Sequence, residues 1–294
     1  MSRPVVVGFD GSATARSAVH YGAREALRRG CGLRVVHAFG WPVIGPPFHA
    51  SYDQHDQGPR AAMLDLLAQT AQEIRADHHS MSVTTRLIDG SPGGVLVDVS
   101  RDAQLLVVGH RGLGGFAGLL AGSVAAQVSA HARCPIVVVR GDSPPDGAPV
   151  LLGTDGSRGA NRAAEVAFAQ AHLRDVELIL AHHQPARRSS VDAISTGDPG
   201  FWVTVGDPAA GGLGVGARHP DVKYRTEVVP GDSVATALIT FARRTSAGLL
   251  VVGSRGLGGF RGLVIGSTSR NLIEHAPCPV MVVPAVHGWT DLVP

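Results

Sequence analysis

The sequence predicts an α/β protein: two tandem, doubly wound, five-stranded parallel-sheet domains of the Rossmann-like kind, related by a pseudo-twofold axis. Three observations carry this. A chain of 294 residues holds two domains of ordinary size. The same unit is written twice. Within each copy, short Val/Leu/Ile runs alternate with segments whose apolar residues recur at helical spacing, the pattern of strands separated by crossover helices and buried on both faces.

The repeat sets the organisation. Val7-Gly8-Phe9-Asp10-Gly11-Ser12 returns as Leu152-Gly153-Thr154-Asp155-Gly156-Ser157, and residues 109–139 return as 253–283 with 17 of 31 positions identical. A period near 145 residues is domain duplication rather than a solenoid. The boundaries expected are 1–140 and 150–294, joined by a linker at 141–149 made of prolines and turn formers.

In the first copy, an apolar run at 4–9 reads as a strand that ends in the turn Asp10-Gly11-Ser12. Ala15, Ala18, Val19, Gly22, Ala23, Ala26 and Leu27 then follow a helical period, with Ser12 as N-cap and Gly30 as stop. The second copy repeats this at Ala160, Ala163, Ala164, Ala167, Phe168 and Ala171. Next come a strand over 33–39, a polar and Pro-rich loop over 40–59, a helix over 60–78 carrying Ala61, Leu64, Leu67, Ala68, Ala71 and Ile74, and a strand over 82–88. A helix over 93–102, a strand over 104–108, a Gly-rich loop, a helix over 123–132 and a strand over 135–139 complete the unit. The last strands, 135–139 and 279–283, are expected side by side and antiparallel, because an unpaired apolar edge invites aggregation. One segment departs from the repeat: the counterpart of helix 60–78 lies in the glycine-rich stretch 198–218, where a helix is expected to be short, frayed or replaced by loop.

Composition excludes several classes. Apolar residues are 44% and the formal net charge is +2, which is not the balance of a disordered chain. The basic residues are almost all arginine, with Lys223 the only lysine and no basic run, so nucleic acid is not an expected partner. No apolar run approaches a membrane span, and the strand-like Pro4-Val5-Val6-Val7-Gly8 follows Met1-Ser2-Arg3 at once, so no membrane association and a cytoplasmic location are expected. Cys31, Cys134 and Cys278 are odd in number and lack CxxC spacing, which suits a reducing compartment and inert buried thiols.

Doubly wound sheets take ligands beyond the carboxyl ends of the strands where the winding reverses, which directs attention to the loops after the first and fourth strands. After each fourth strand stands Gly-x-x-Gly-x9-Gly-Ser, as Gly109, Gly112, Gly122 and Ser123 and again as Gly253, Gly256, Gly266 and Ser267. Such glycines let backbone N–H groups approach a ligand, and Ser123 or Ser267 opens a helix whose N-terminus favours an anion such as phosphate. The same glycines would also serve plain tight turns. A P-loop would need Gly-Lys-Ser/Thr, and a dinucleotide fingerprint would need Gly-x-Gly-x-x-Gly after the first strand; neither is present. Asp10 and Asp155 place an acceptor where a base or ribose would lie, or form Asx turns. Arg111 and Arg255 either pair with phosphate oxygens or stay solvated. Gly8 and Gly153 at the first strands, Ala38 at the second and Thr268 after Ser267 complete the candidate cofactor-binding set. His37 and His182 occupy matching places at the ends of the second strands, where packing is the expected role. The 14 histidines show no zinc-type spacing with a carboxylate partner, and no catalytic triad is evident, so neither metal-ligating nor catalytic residues are assigned.

These residues resemble the universal stress proteins in their tandem-domain form, over nearly the whole chain. The resemblance rests on the two Asp-Gly-Ser turns, the two Gly-x-x-Gly-x9-Gly-Ser loops and the Cys134-Pro135 and Cys278-Pro279 starts of the last strands. It implies ATP binding, often with a divalent metal such as magnesium or manganese on the phosphates. Carried over by position, Asp10 and Asp155 would meet the adenosine end, Gly109 and Gly253 the ribose, and Gly112, Gly122 and Ser123, or Gly256, Gly266 and Ser267, the phosphates. It also implies a homodimer. The function expected is a regulatory ATP-binding protein of the stress response. The alternatives are a slow ATPase or phosphotransferase, which would need a positioned base, and an AMP or cyclic AMP sensor using the same cleft.

Overall fold

A computed structural model describes residues 2–40, 58–113, 122–141, 145–185, 218–256 and 265–285. The first half runs β1 (Val5–Gly8), α1 (Ala13–Arg28), β2 (Leu33–Phe39), α2 (Gly58–Asp77), β3 (Val83–Asp89), α3 (Pro92–Val99), a 3-10 turn (Ser100–Asp102), β4 (Leu105–Gly109), α4 (Ser123–His131) and β5 (Ile136–Val139). The second half runs β6 (Val150–Thr154), α5 (Arg158–Arg174), β7 (Leu178–Pro185), β8 (Tyr224–Gly231), α6 (Val234–Arg244), β9 (Leu249–Gly253), α7 (Ser267–His275) and β10 (Val280–Val283). The glycine-rich stretch 198–217 lies outside the described residues.

All ten strands form one sheet in the order β3-β2-β1-β4-β5-β10-β9-β6-β7-β8, which reads the same way inward from either edge. Pairing inside each half is parallel. At the centre β5 and β10 pair antiparallel, Val138 with Val280, Val137 with Met281 and Ile136 with Val282. All six of these side chains are fully buried, so each half covers the apolar edge that the other would expose. The expected pseudo-twofold arrangement is the one found.

Strand residues alternate between two cores. Val5, Val7, Leu33 and Val35 face α1 and α2, continuous with Leu152 of β6, Phe168 of α5 and Leu180 of β7 in the other half. Val6, Val36, Leu106 and Ile136 face the opposite layer with α3 and α4, continuous with Leu238 and Phe241 of α6 and Leu272 of α7. The start of α1 follows the expected chemistry: the Ser12 Oγ accepts from the Ala15 N–H at 3.2 Å, and Gly30 takes φ +59 just beyond the C-cap. The apolar stripes are narrower than their sequence period. Leu27 and Leu64 are exposed, and α2 is buried only at Leu67, Thr70, Ala71 and Ile74, because only its second half reaches the sheet. Cys134 and Cys278 are buried, and burial pushes both thiols up to about 12, which keeps them unreactive.

Helices α1 and α5 also meet through charge. The Arg174 guanidinium donates to the Glu25 carboxylate at 2.7 Å and to the Tyr21 hydroxyl at 2.9 Å, with Arg28 on the same carboxylate at 2.9 Å and Arg29 at 3.7 Å. Glu25 is fully buried. Burial alone would push its carboxyl upward, but the guanidiniums of Arg174, Arg29 and Arg28 outweigh it and hold it below the usual carboxylate range.

Candidate functional site

Two cavities open at the carboxyl ends of the strands, one in each half. The first encloses about 590 Å³ between the ends of β1, β2 and β4 and the start of α4, and the second about 500 Å³ between the ends of β6, β7 and β9 and the start of α7. Both lie where the strand order reverses, on either side of β1 and β6. The eight first-copy candidates, Gly8, Asp10, Ala38, Gly109, Arg111, Gly112, Gly122 and Ser123, all line the first cavity. Gly153, Asp155, Gly253, Arg255, Gly256, Gly266, Ser267 and Thr268 all line the second. Residues more than 100 positions apart in sequence are thus brought to one wall.

Asp10 organises the first wall. Its Oδ1 accepts from the Ser12 N–H at 3.0 Å, an Asx turn, while its Oδ2 accepts from the Leu113 N–H at 2.8 Å. The two readings of this aspartate in sequence are therefore compatible: it caps its own turn and also ties β1 to the glycine loop. Gly112 is required by this contact, because a Cβ there would lie 2.3 Å from Oδ2. In the second copy Asp155 accepts from the Ser157 N–H at 3.0 Å, and a Cβ on Gly256 would again lie 2.3 Å from its Oδ2. Gly109 and Gly253 allow a different close approach, of the helix-start backbone at Thr14 and Gly159, each of whose carbonyl groups would be 2.9 Å from a Cβ. Thr14 also donates through its hydroxyl to the Arg111 carbonyl, fixing the loop on α1.

The far side of the glycine loop returns to the strand end. The Gly122 N–H donates to the His110 carbonyl and the Gly266 N–H to the Ser254 carbonyl, each at 2.8 Å. Gly122 and Gly266 are the N-caps of α4 and α7, in extended conformation and with no side-chain cap. Each helix therefore presents its first N–H groups, with Ser123 or Ser267 as its first residue, to the cavity. Residues 114–121 and 257–264, inside the loops, lie outside the described residues.

The histidines at the ends of β2 and β7 do more than pack. His37 lines the first cavity with its Nδ1 on the Phe9 carbonyl at 2.7 Å, and His182 lines the second with its Nδ1 on the Thr154 carbonyl at 3.2 Å. A carbonyl only accepts, so Nδ1 carries the proton in that bond. Their matched positions in the repeat were the sequence signal for this. The apolar wall comes from Val36, Leu96 and Val108 in the first cavity and from Leu238, Val252 and Ile265 in the second.

Charge differs between the two. His110 joins β4 to Arg111; its Nδ1 donates to the Val139 carbonyl at 3.2 Å. Burial, and then the Arg140 and Arg111 guanidiniums, hold its pKa below the ordinary histidine value. Arg140 reaches across the central strand pair to donate to the Ile273 carbonyl at 2.8 Å and the Ala276 carbonyl at 3.3 Å, at the C-terminus of α7. The equivalents of His110 and Arg140 in the second half are Ser254 and Pro284.

A pair of helix N-termini, each at the rim of a partly apolar cleft at a sheet switch point, defines a tandem, doubly wound α/β protein. The chain belongs to the universal stress protein family: the model described as "Universal stress protein family" matches residues 1–140 and again 148–284. A universal stress protein of Mycobacterium tuberculosis strain H37Rv is 34% identical over 302 residues, covering 96% of this chain and 99% of its own. One from Mycolicibacterium smegmatis is 31% identical over 309 residues, covering 95% of this chain and 96% of its own. Among solved structures, a universal stress protein from Archaeoglobus fulgidus aligns with TM-score 0.74 at 20% identity, over 97% of this chain and all of that one, and so shares the fold. No helix among the described residues is long and apolar enough to cross a membrane.

Proposed function

We propose that both cavities bind adenine nucleotide, ATP in particular, and that this is a cytoplasmic regulatory protein of the stress response whose nucleotide biases its conformation or its assembly into a homodimer. The functional units are residues 1–140 and 150–294, joined by 141–149. The observation that carries the reading is the cradle made by Gly112 and Gly256: a side chain is excluded where the loop closes on the aspartate, and the adjoining helix N-terminus points its N–H groups into the same cavity. Phosphates belong at that end, and the base belongs against the apolar wall, near the imidazole of His37 or His182. The residues fit the nucleotide. For a divalent ion they offer less: among the described residues no three His, Cys, Asp or Glu side chains group to hold a metal. Magnesium or manganese would therefore enter on the phosphates, with water filling its remaining positions.

Calorimetric titration of nucleotide-free protein with ATP, AMP and cyclic AMP tests this. Up to two ATP molecules per chain are expected, with AMP and cyclic AMP weaker because they leave helix N–H groups unmet. Ser123→Ala removes a hydrogen bond to a charged oxygen and should weaken the first site by about tenfold or more. A first-site affinity unchanged both in this variant and in Gly122→Glu, which puts a carboxylate into the phosphate cradle, would show the assignment to be wrong.

The bound nucleotide should stay largely intact. At the phosphate end the described walls offer mainly backbone N–H groups, hydroxyls and an arginine, which bind ground state and transition state alike and so do not raise the rate of the chemical step. Phosphate release on incubation with ATP and magnesium or manganese is expected below about 1 per second, the low end of ordinary enzyme rates. Faster release that disappears in Asp10→Ala/Asp155→Ala would make the protein an enzyme.

A further inference from the structure

The two cavities share their loops but not the titratable groups around them: the second is lined by His183 where the first has Ala38, and the two differ again at the corner behind the loop. In the first half, His110, Arg111 and Arg140 converge at the ends of β4 and β5; in the second, the same three places hold Ser254, Arg255 and Pro284. Arg111 and Arg255 each line their cavity, so both sites carry one cation at the loop. Only in the first does a histidine precede that arginine.

The setting of that group is well defined. His110 is half-buried, its carbonyl is tied to the Gly122 N–H at the start of α4, and its Nδ1 proton is committed to the Val139 carbonyl. The titrating atom is therefore Nε2. The charges around it are Arg111 in its own loop, Arg140 from the end of β5, Glu274 of α7 acting on Arg140, and Asp10 on the β1 side of the cavity. The helix whose N-terminus faces it, α4, contributes no charged residue before His131 at its end. Arg140 cannot swing away without giving up its two carbonyls on α7, so positive charge is held at this corner by the other half of the molecule. With the cavity free of anion, burial first and then that charge hold the His110 pKa below the ordinary histidine value.

An anion placed at Arg111 and the α4 N-terminus changes the balance at this corner, because several negative charges then lie within a screening length of the imidazole. We infer that the first cavity takes up a proton on His110 when it binds a polyphosphate, so that acidification favours its filling through a group that the second half, with Ser254 at that place, does not have. This rests on reading the cavities as nucleotide sites. The sign follows from linkage: a group whose pKa rises on binding takes up a proton in the window between its free and bound values, and affinity increases as pH falls through that window.

The experiment isolates each site in the full chain, silencing the second with Gly266→Glu or the first with Gly122→Glu, and titrates ATP from pH 8 to pH 5.5 in buffers of different ionisation enthalpy. The ligand's own phosphate titration is common to both sites and cancels in the comparison. With the second site silenced, first-site affinity is expected to rise as pH falls, by up to about tenfold per pH unit within the window beyond the ligand's own titration, with proton uptake to match. His110→Ser, which installs the second half's residue, should remove that extra rise. NMR of His110 in the native protein gives a readout that needs no variant at the histidine: its pKa should rise on addition of ATP. First-site proton uptake unchanged by His110→Ser, or a His110 pKa that ATP leaves in place, overturns the inference while leaving nucleotide binding intact. Failure of ATP to bind in either single-site variant and in the native chain would overturn the nucleotide reading itself, and this one with it.

Discussion

Gly112→Ala is expected to weaken ATP binding at the first cavity about ten- to hundredfold, whereas Gly122→Ala should change it by no more than a few fold. The two glycines lie in one loop signature but meet different neighbours. At position 112 the added methyl falls 2.3 Å from the Asp10 Oδ2, and that carboxylate is a short side chain already held by two backbone N–H groups. Relief requires breaking the 2.8 Å bond from Leu113 and moving the β1 turn, at a cost set by a hydrogen bond to a charged acceptor, about 1.5–3 kcal/mol. At position 122 the nearest atom to the same methyl is the His110 carbonyl oxygen at 3.5 Å, an ordinary contact. Calorimetry with the second site silenced by Gly266→Glu measures both. Equal affinities for the two variants would show that the Asp10 tether does not shape the site.

Glu25→Leu is expected to lower the melting temperature by about 10 °C, more than any change in the cavities. Removing the carboxylate leaves Arg174, with its side chain only 10% exposed, facing the Tyr21 hydroxyl and no anion. An uncompensated buried charge of this kind costs about 3–5 kcal/mol. The pair change Glu25→Leu/Arg174→Leu should recover at least half of the loss, since an apolar pair of similar volume is a tolerable replacement. The effect has a pH signature. The carboxyl is held below its unfolded value, so its contribution is present above about pH 4.3 and is lost as pH falls through the folded value. Thermal melts should therefore show native protein and Glu25→Leu converging in the acid range below about pH 4. A constant gap across that range would show that packing, not charge, locks α1 to α5.

Much of this architecture is legible in the sequence because it is written in local periods. The cap at Ser12, the stop at Gly30 and the Val/Leu strands follow from residues a few positions apart, and the duplication exposes the central antiparallel pair. The loop candidates reach one cavity because their spacing is fixed by the strand ends. What escapes is whatever depends on the other half of the chain. Glu25 reads as a polar helix position, and nothing local shows that Arg174, 149 residues away, will bury it. Arg140 reads as the end of a strand, although it closes the last turn of α7. Leu64 fits its stripe and is exposed, since the length of α2 over the sheet is decided by where the sheet ends.

The antiparallel seam between β5 and β10 has a consequence for how the two halves can differ. When two identical chains join through such a seam, every substitution appears on both sides of the axis, and no residue can be tuned for one cleft without altering the other. Here the seam lies within a single polypeptide, so each side of the axis has its own codons. His110 can face Ser254, and Arg140 can face Pro284, across a symmetry that the backbone keeps and the side chains break. One molecule thus carries a matched pair of clefts whose side chains can change independently, which would let the nucleotide proposed for both be read in two ways.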